Sequence, residues 1–415
     1  MKEMLGRQRA VSVREGLQRI LEHLPDITPE SEKVSIENSL SRILAEDIYS
    51  KEDLPGFDRS SVDGYAVISS DTFGASETMP LYLEVAGEIK MGERPSSGLS
   101  RGKVMKIPTG GMLPEGSDAV IMLEHTAPVD ERLIEILRPV APGENVIKRD
   151  EDIKKGELVL KRGHKMRPQD IGALAGLGIT EIKVYKKPIV SIISTGDEII
   201  PPQKKPAPGQ VRDINSYNLA GLVIEAGGLP LRMGIISDDY ALIKDTIKRA
   251  CETSQIVLIS GGSSVGTRDF TARAIDELGS PGLVFHGVAM KPGKPTIAGI
   301  VNNVPVFGIP GHPAAATVCF LNFIKPVIKR LAGDNSPDIP KTIRAILTKN
   351  IPSSGGRTDF IRVKIMEDRG RYLAEPVFGK SGLITTLVHA SGIVVIPEER
   401  LGVAEGETVE VILFE

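Results

Sequence analysis

Four short segments in the middle of the chain hold most of the side chains that could do polar chemistry. They are Ser194-Thr195-Gly196-Asp197-Glu198, the run Ser260–Asp269, Lys291-Pro292-Gly293-Lys294-Pro295, and Gly308-Ile309-Pro310-Gly311-His312-Pro313. In the second, Gly261, Gly262, Ser263, Ser264 and Gly266 offer glycines, hydroxyls and free amides ahead of a helical pattern, which suits an anion. Lys291 and Lys294 add positive charge on a proline-stiffened turn, and Asp197, Glu198 and Asp269 add carboxylates. Cations and carboxylates converging on an anion-friendly edge point to a phosphorylated ligand with Mg²⁺, which takes one or two carboxylates plus phosphate oxygens.

Each segment follows an apolar run that reads as a strand. Pro188–Ser194, Leu229–Ile236, Ile256–Ser260 and Leu283–Met290 alternate with helical patterns over Ser216–Ala226, Asp238 to Glu252, and a stretch ending at Leu278. Asp238 reads as the cap of its helix. Thr296–Val301 and Val304–Ile309 form a hairpin through Asn302-Asn303, and Pro313 opens a long helix to Leu331. This spacing predicts a three-layer α/β domain with a mostly parallel sheet. Ligands of such sheets bind beyond the carboxyl ends of the strands, so the four segments should share one edge.

Flanking regions have a different texture. Ser12 and Glu15 have capping-box spacing ahead of an apolar stripe, so residues 12–24 read as a helix that Pro25 ends. A second short helix is expected over Ser39 to Asp47. Short alternating runs over Leu81–Ile89, Lys103–Ile107, Ala119–Leu123 and Arg132–Arg138 predict a β-rich module. Beyond a linker at Pro337–Pro340, five more β runs between Thr342 and Phe414 predict a small all-β domain.

Composition narrows the classes. The chain has 415 residues, 41% hydrophobic and 25% charged, with 51 basic against 54 acidic side chains and a net charge of −3. That size predicts several domains. The balance argues against nucleic-acid binding, and 4% aromatics offer few stacking platforms. No apolar run reaches a membrane span, and the first ten residues have no secretory h-region. The two cysteines, Cys251 and Cys319, form neither a CxxC nor a disulfide framework, so a cytoplasmic location is expected. The six histidines show no metal-ligand spacing.

Familiar motifs fail or compete. Gly261–Thr267 lacks the lysine of a P-loop, and no GxGxxG follows a strand. Gly262–Gly266 fits the hydrolase elbow G-x-S-x-G, with Ser264 as nucleophile and Asp359 and His389 as partners. Those two fall in the separate β domain, and such a hydrolase would leave both lysines unexplained. A further polar cluster, Pro55–Val67, contains Asp63 beside Gly64, and Pro108–Pro114 contains Thr109.

The run Pro55–Val67 resembles the signature of the molybdopterin molybdenumtransferases, a family that includes the C-terminal region of gephyrin. The likeness continues through Pro108–Pro114, Gly143–Asp152 and the four central segments. It implies an elongated homodimer with a discontinuous first domain (1–50 and 145–185), a β-rich second domain (51–144), the α/β domain (186–333) and a C-terminal β-barrel (334–415). The site would form between the α/β domain of one subunit and the second domain of the other.

The reaction it implies takes adenylylated molybdopterin and molybdate or tungstate, cleaves the pyrophosphate link, releases AMP and leaves the metal on the dithiolene. Asp63, Thr109, Glu198, Asp238, Asp269, Lys291 and Lys294 match catalytic positions. Ser194, Thr195, Gly196, the Gly261–Gly266 segment, Pro310, Pro313 and Ser381 match substrate-binding ones, with Glu198 and Asp269 placed to hold Mg²⁺. A molybdopterin adenylyltransferase is an expected partner. The rival readings are an adenylyltransferase or nucleotide pyrophosphatase built on the same α/β domain, and a non-enzymatic dimeric scaffold.

Overall fold

The computed structural model describes residues 10–24, 29–261, 265–337 and 339–414, with side chains of the helix Val265–Leu278 described from Phe270 onward. Gly262, Ser263 and Ser264, the Asp269 side chain, Pro25 and Asp338 lie outside the described residues.

The central unit is a six-stranded sheet in the order Leu229–Ile236, Ile189–Thr195, Ile256–Gly261, Val304–Ile309, Ile297–Val301, Gly282–His286. The first four strands are mutually parallel, and the Asn302-Asn303 hairpin reverses the chain. Both asparagines adopt positive φ, 50° and 66°, as a two-residue hairpin turn demands. Strands buried on both faces are almost wholly apolar here. Successive side chains alternate between layers. Val190, Ile192, Ile256 and Leu258 join one core, while Ile193, Val257 and Ile259 join the other.

Helices Asn215–Glu225 and Pro313–Cys319 cover the first face, and Tyr240–Thr253 and Val265–Leu278 the second. The helix Val13–His23, capped by Ser12 Oγ accepting from Glu15 N–H at 3.2 Å, also packs on the first face. Its Gly16 lies against Phe285 and Phe323.

Two further cores flank this unit. Ile36, Leu44 and Ile48 pack with Leu160, Leu174, Ile182 and Val184, so one core draws on two separated stretches of chain. Between those stretches lies a six-stranded sheet built from residues 64–136, with its own buried apolar interior.

At the C-terminus the strand Thr358–Asp368 pairs with both Arg371–Pro376 and Gly392–Ile396. With Thr342–Leu347 and Thr408–Leu413 this closes a five-stranded barrel around Val363, Ala374, Val394 and Val411. The architecture is therefore the multidomain α/β plus β arrangement expected from the sequence.

Four local expectations need correction. Ser39–Asp47 is not helical: Ser41 has φ 61°, and Ile43 and Leu44 form bridges to Lys165 and Val184, so cross-chain pairing wins over the helical spacing of Leu40, Ile43 and Leu44. The cap of Tyr240–Thr253 is Asp239, whose carboxylate accepts from Leu242 N–H at 2.8 Å, and not Asp238. The run Leu283–Met290 is two strands, because Gly287 at φ 98° turns the chain away. Its second piece, Met290–Lys291, pairs with Thr358–Asp359 of the barrel. Last, the helix expected from Pro313 to Leu331 runs through a π-helical stretch at Phe320–Ile324.

Candidate functional site

The carboxyl ends of the parallel strands set Gly196, Gly261 and Pro310 side by side, because Thr195 is in register with Gly261 and Ser260 with Ile309. Gly261 holds φ 145°, and a Cβ there would fall 1.9 Å from the Thr195 carbonyl oxygen, so only glycine fits. The exposed Glu198 carboxylate folds back over Gly196, where a Cβ would meet it at 2.6 Å. Asp238 N–H donates to Asp197 Oδ1 at 3.3 Å, so Glu198 and Asp238 share one edge of neighbouring strands. Ser194 and Thr195 are buried beneath it, and Ser194 Oγ donates to Asp213 at 3.0 Å.

Beside this edge lies a cavity of about 770 Å³ between the α/β unit and the barrel. Lys291, Lys294, Pro310 and Ser381, named from the sequence as site residues, line it together with His312 and three barrel residues, Arg357, Arg362 and Lys380. No Asp or Glu lines it among the described residues. A wall of cations without carboxylates is an anion site by charge alone.

The lysine turn is built rigidly. Lys291 is in register with Asp359 of the barrel strand. Beneath the turn, buried Thr296 donates its hydroxyl to Gly293 O at 2.6 Å and lies 2.8 Å from Cys319 Sγ. Burial pushes the Cys319 thiol up to about 12, so it packs as an inert apolar group. Pro313 begins the helix that carries Cys319, is itself buried, and directly follows the cavity-lining His312.

Arg362 is the most unusual member. It is 7% exposed, donates from Nη2 to Gly379 O at 3.1 Å, and its buried Nε has no hydrogen-bond partner. Burial pulls its pKa below the ordinary arginine value. A buried guanidinium with an unused donor is expensive unless an anion completes it. Arg357, by contrast, is paired with the fully buried Asp359 at 2.8 Å. That pairing also commits Asp359 away from His389 and leaves the hydrolase reading without its acid.

The cavity and the acidic edge are joined by the loop 308–313. Asn215 Nδ2 donates to Ser260 Oγ at 2.7 Å and to Gly311 O at 2.9 Å. Gly311 in turn sits over Gly261, its Cβ position 3.7 Å from the Gly261 Cα. Gly266 lies in the first turn of Val265–Leu278, next to this contact in sequence.

Asp63 and Thr109 form a separate station on the 64–136 sheet. Thr109 donates from its backbone N–H and its hydroxyl to Asp63 Oδ1 at 2.7 and 3.0 Å, and these bonds lower the Asp63 pKa. Both are exposed, and neither lines the cavity. Sequence reasoning missed Arg357, Arg362 and Lys380 as cavity residues. Arg362 sits on the strand face opposite Val363 of the barrel core, where a charge normally meets water, and nothing local signals that the α/β unit covers that face.

Comparisons with known proteins match three stretches of the chain. Residues 11–178 match a family model described as "MoeA N-terminal region (domain I and II)". Residues 191–330 match one described as "Probable molybdopterin binding domain", and 344–414 match "MoeA C-terminal region (domain IV)". The molybdopterin molybdenumtransferase of Bacillus subtilis is 34% identical, over 99% of this chain and 96% of that protein. That of Haemophilus influenzae is also 34% identical, over 95% and 96%. A crystal structure of the molybdopterin biosynthesis moeA protein from Pyrococcus horikoshii OT3 superposes with a TM-score of 0.85 at 35% identity, covering 98% of this chain and 100% of that one. With one family matched along nearly its whole length, the chain belongs to the MoeA family of molybdopterin molybdenumtransferases.

Proposed function

We propose that this enzyme of molybdenum cofactor biosynthesis takes adenylylated molybdopterin and molybdate, cleaves the pyrophosphate link, and releases AMP while the metal stays on the dithiolene. The observation that carries the reading is the cationic cavity, lined by no carboxylate among the described residues and joined through Asn215 and Gly311 to an acidic strand edge. Two anions must come together before the phosphoanhydride breaks. Lys291, Lys294 and Arg362 offset their mutual repulsion, and the preset turn means little reorganisation is needed when charge shifts. No covalent nucleophile is required.

The family's magnesium fits the donor set. Glu198 presents an exposed carboxylate at the edge, and among the described residues no three ligating side chains cluster as a dedicated cage would need. That suits an ion that keeps its waters and takes phosphate oxygens. Glu198 and Asp269 would hold it, where it would offset pyrophosphate charge. Asp238 orders the same edge. Tungstate, with the same charge and nearly the same size, is an alternative oxyanion.

We assign the chain to domains 1–50 with 145–185, 51–144, 186–333 and 334–415, assembled as a homodimer. The outer strand of the sheet, Leu229–Ile236, and the exposed Ile224 of the neighbouring helix offer a surface for a second copy. In the dimer, Asp63 and Thr109 of one subunit would complete the other's cavity, which accounts for their separation from it in one chain. A molybdopterin adenylyltransferase would supply the substrate. Among the described residues no helix is long and apolar enough to cross a membrane, and the cysteines are unpaired, in keeping with a cytoplasmic setting.

The test is AMP release from adenylylated molybdopterin with and without molybdate. Molybdate-dependent release is expected. Equal release without molybdate would favour the pyrophosphatase, and no turnover would favour the scaffold.

A further inference from the structure

We propose that His312 is a positioning residue for the oxyanion cavity, acting through the barrel turn Gly379–Gly382; this rests on the molybdenum-transfer reading above. His312 Nδ1 lies 2.8 Å from Ser381 Oγ, and Ala314 N–H donates to Ser381 O at 3.1 Å. The turn also packs on the imidazole face: a Cβ at Gly382 would stand 3.4 Å from His312 Cδ2. At its other end the turn is held within the barrel, where Arg362 Nη2 donates to Gly379 O at 3.1 Å.

The turn is therefore pinned at both ends, once by its own barrel and once by the α/β unit. Lys380 sits between the pins and lines the cavity. A lysine on a fixed base gives up less freedom when it closes on an anion than one on a loose turn. Removing the imidazole leaves, among the described residues, the Ala314 amide as the α/β unit's hydrogen bond to Ser381. Lys380 then loses its fixed base, and Ser381 its hydroxyl partner, while the cavity's other cations are untouched. His312 acts here by geometry and needs no contact with the reacting atoms.

The geometry distinguishes substitutes. Asparagine carries a hydrogen-bonding atom one bond beyond Cγ, where Nδ1 stands in histidine, whereas glutamine carries it one bond further and leucine carries none.

The experiment is calorimetric titration of the full chain with tungstate, comparing wild type, H312L, H312N, H312Q, S381A and the H312L/S381A double variant. H312L and H312Q are expected to weaken binding about fivefold, with H312N within about twofold of wild type. The double variant should bind no worse than either single one, because both remove the same contact. A general loss of packing would not be rescued by asparagine and refused by glutamine. Wild-type binding in H312L, additive losses in the double variant, or an H312N as weak as H312Q would overturn the positioning role while leaving the molybdenum-transfer reading in place. Failure of the wild type itself to bind tungstate would overturn both. If H312L folds poorly, the H312N and H312Q pair decides the matter alone.

Discussion

Asn215 holds Gly311: its Nδ2 donates to the Gly311 carbonyl at 2.9 Å while also reaching Ser260 Oγ at 2.7 Å. One buried amide at the start of a helix thus ties the glycine-bearing strand end to the loop that walls the cavity. Asn215→Ala should lower stability by about 1–3 kcal/mol, since it strands a carbonyl and a hydroxyl. It should also slow turnover at saturating substrate, because cavity and acidic edge lose their register. Denaturant unfolding and steady-state AMP release measure the two effects. Unchanged values for both would remove Asn215 from the account.

Arg362 separates function from stability. Its guanidinium is 7% exposed, with Nε unpaired, so Arg362→Met relieves a desolvated charge and should leave the fold as stable or slightly more so. Oxyanion affinity should nevertheless fall about tenfold or more, because a charge-assisted donor is lost. Melting temperature and tungstate titration would show the opposite signs. A destabilised variant with normal affinity would mean that Arg362 is structural.

Lys291 tests the electrostatic argument. Lys291→Ala keeps the strand pairing with Asp359, which is backbone-made, so the protein should stay folded. Metal insertion should drop by about a hundredfold or more. Wild-type turnover in this variant would contradict charge neutralisation at the turn.

Asp170 governs acid stability far from the cavity. Burial works to raise its pKa, but hydrogen bonds from Arg167 and His164 outweigh it and hold the carboxyl at about 2. A pKa depressed in the fold contributes stability that is complete above the unfolded value near 3.8 and lost as pH falls toward 2. The contribution is on the order of 1–3 kcal/mol. Wild type should therefore lose stability between about pH 4 and pH 2, and Asp170→Asn should flatten that part of the profile. Parallel profiles in a urea titration series would refute it.

Much of this was readable in the sequence because strong periodic signals met few competitors. The alternation of apolar runs and helical stripes over residues 189–331 placed the parallel sheet, and the strand-end rule then placed Glu198, Gly261 and Pro310 on one edge. Failures came where distant chain decided the outcome. Leu40, Ile43 and Leu44 have helical spacing, yet Lys165 and Val184 draw the segment into bridges. Adjacent Asp238 and Asp239 are indistinguishable as caps until Leu242 is seen to donate to Asp239. Arg362 was missed because its burial depends on the barrel's outer face docking on the α/β unit, which also carries Phe360 of the same strand face into that unit's core. The same docking carries Lys380 and Ser381 to the cavity.

The central claim is that one cationic cavity, shared by the α/β unit and the barrel, receives the metal oxyanion. Anomalous diffraction from crystals soaked in tungstate tests it most directly. The account places the tungsten peak within hydrogen-bonding reach of Lys291, Lys294 or Arg362. A peak confined to other parts of the molecule, with that cavity empty at saturating tungstate, would contradict it.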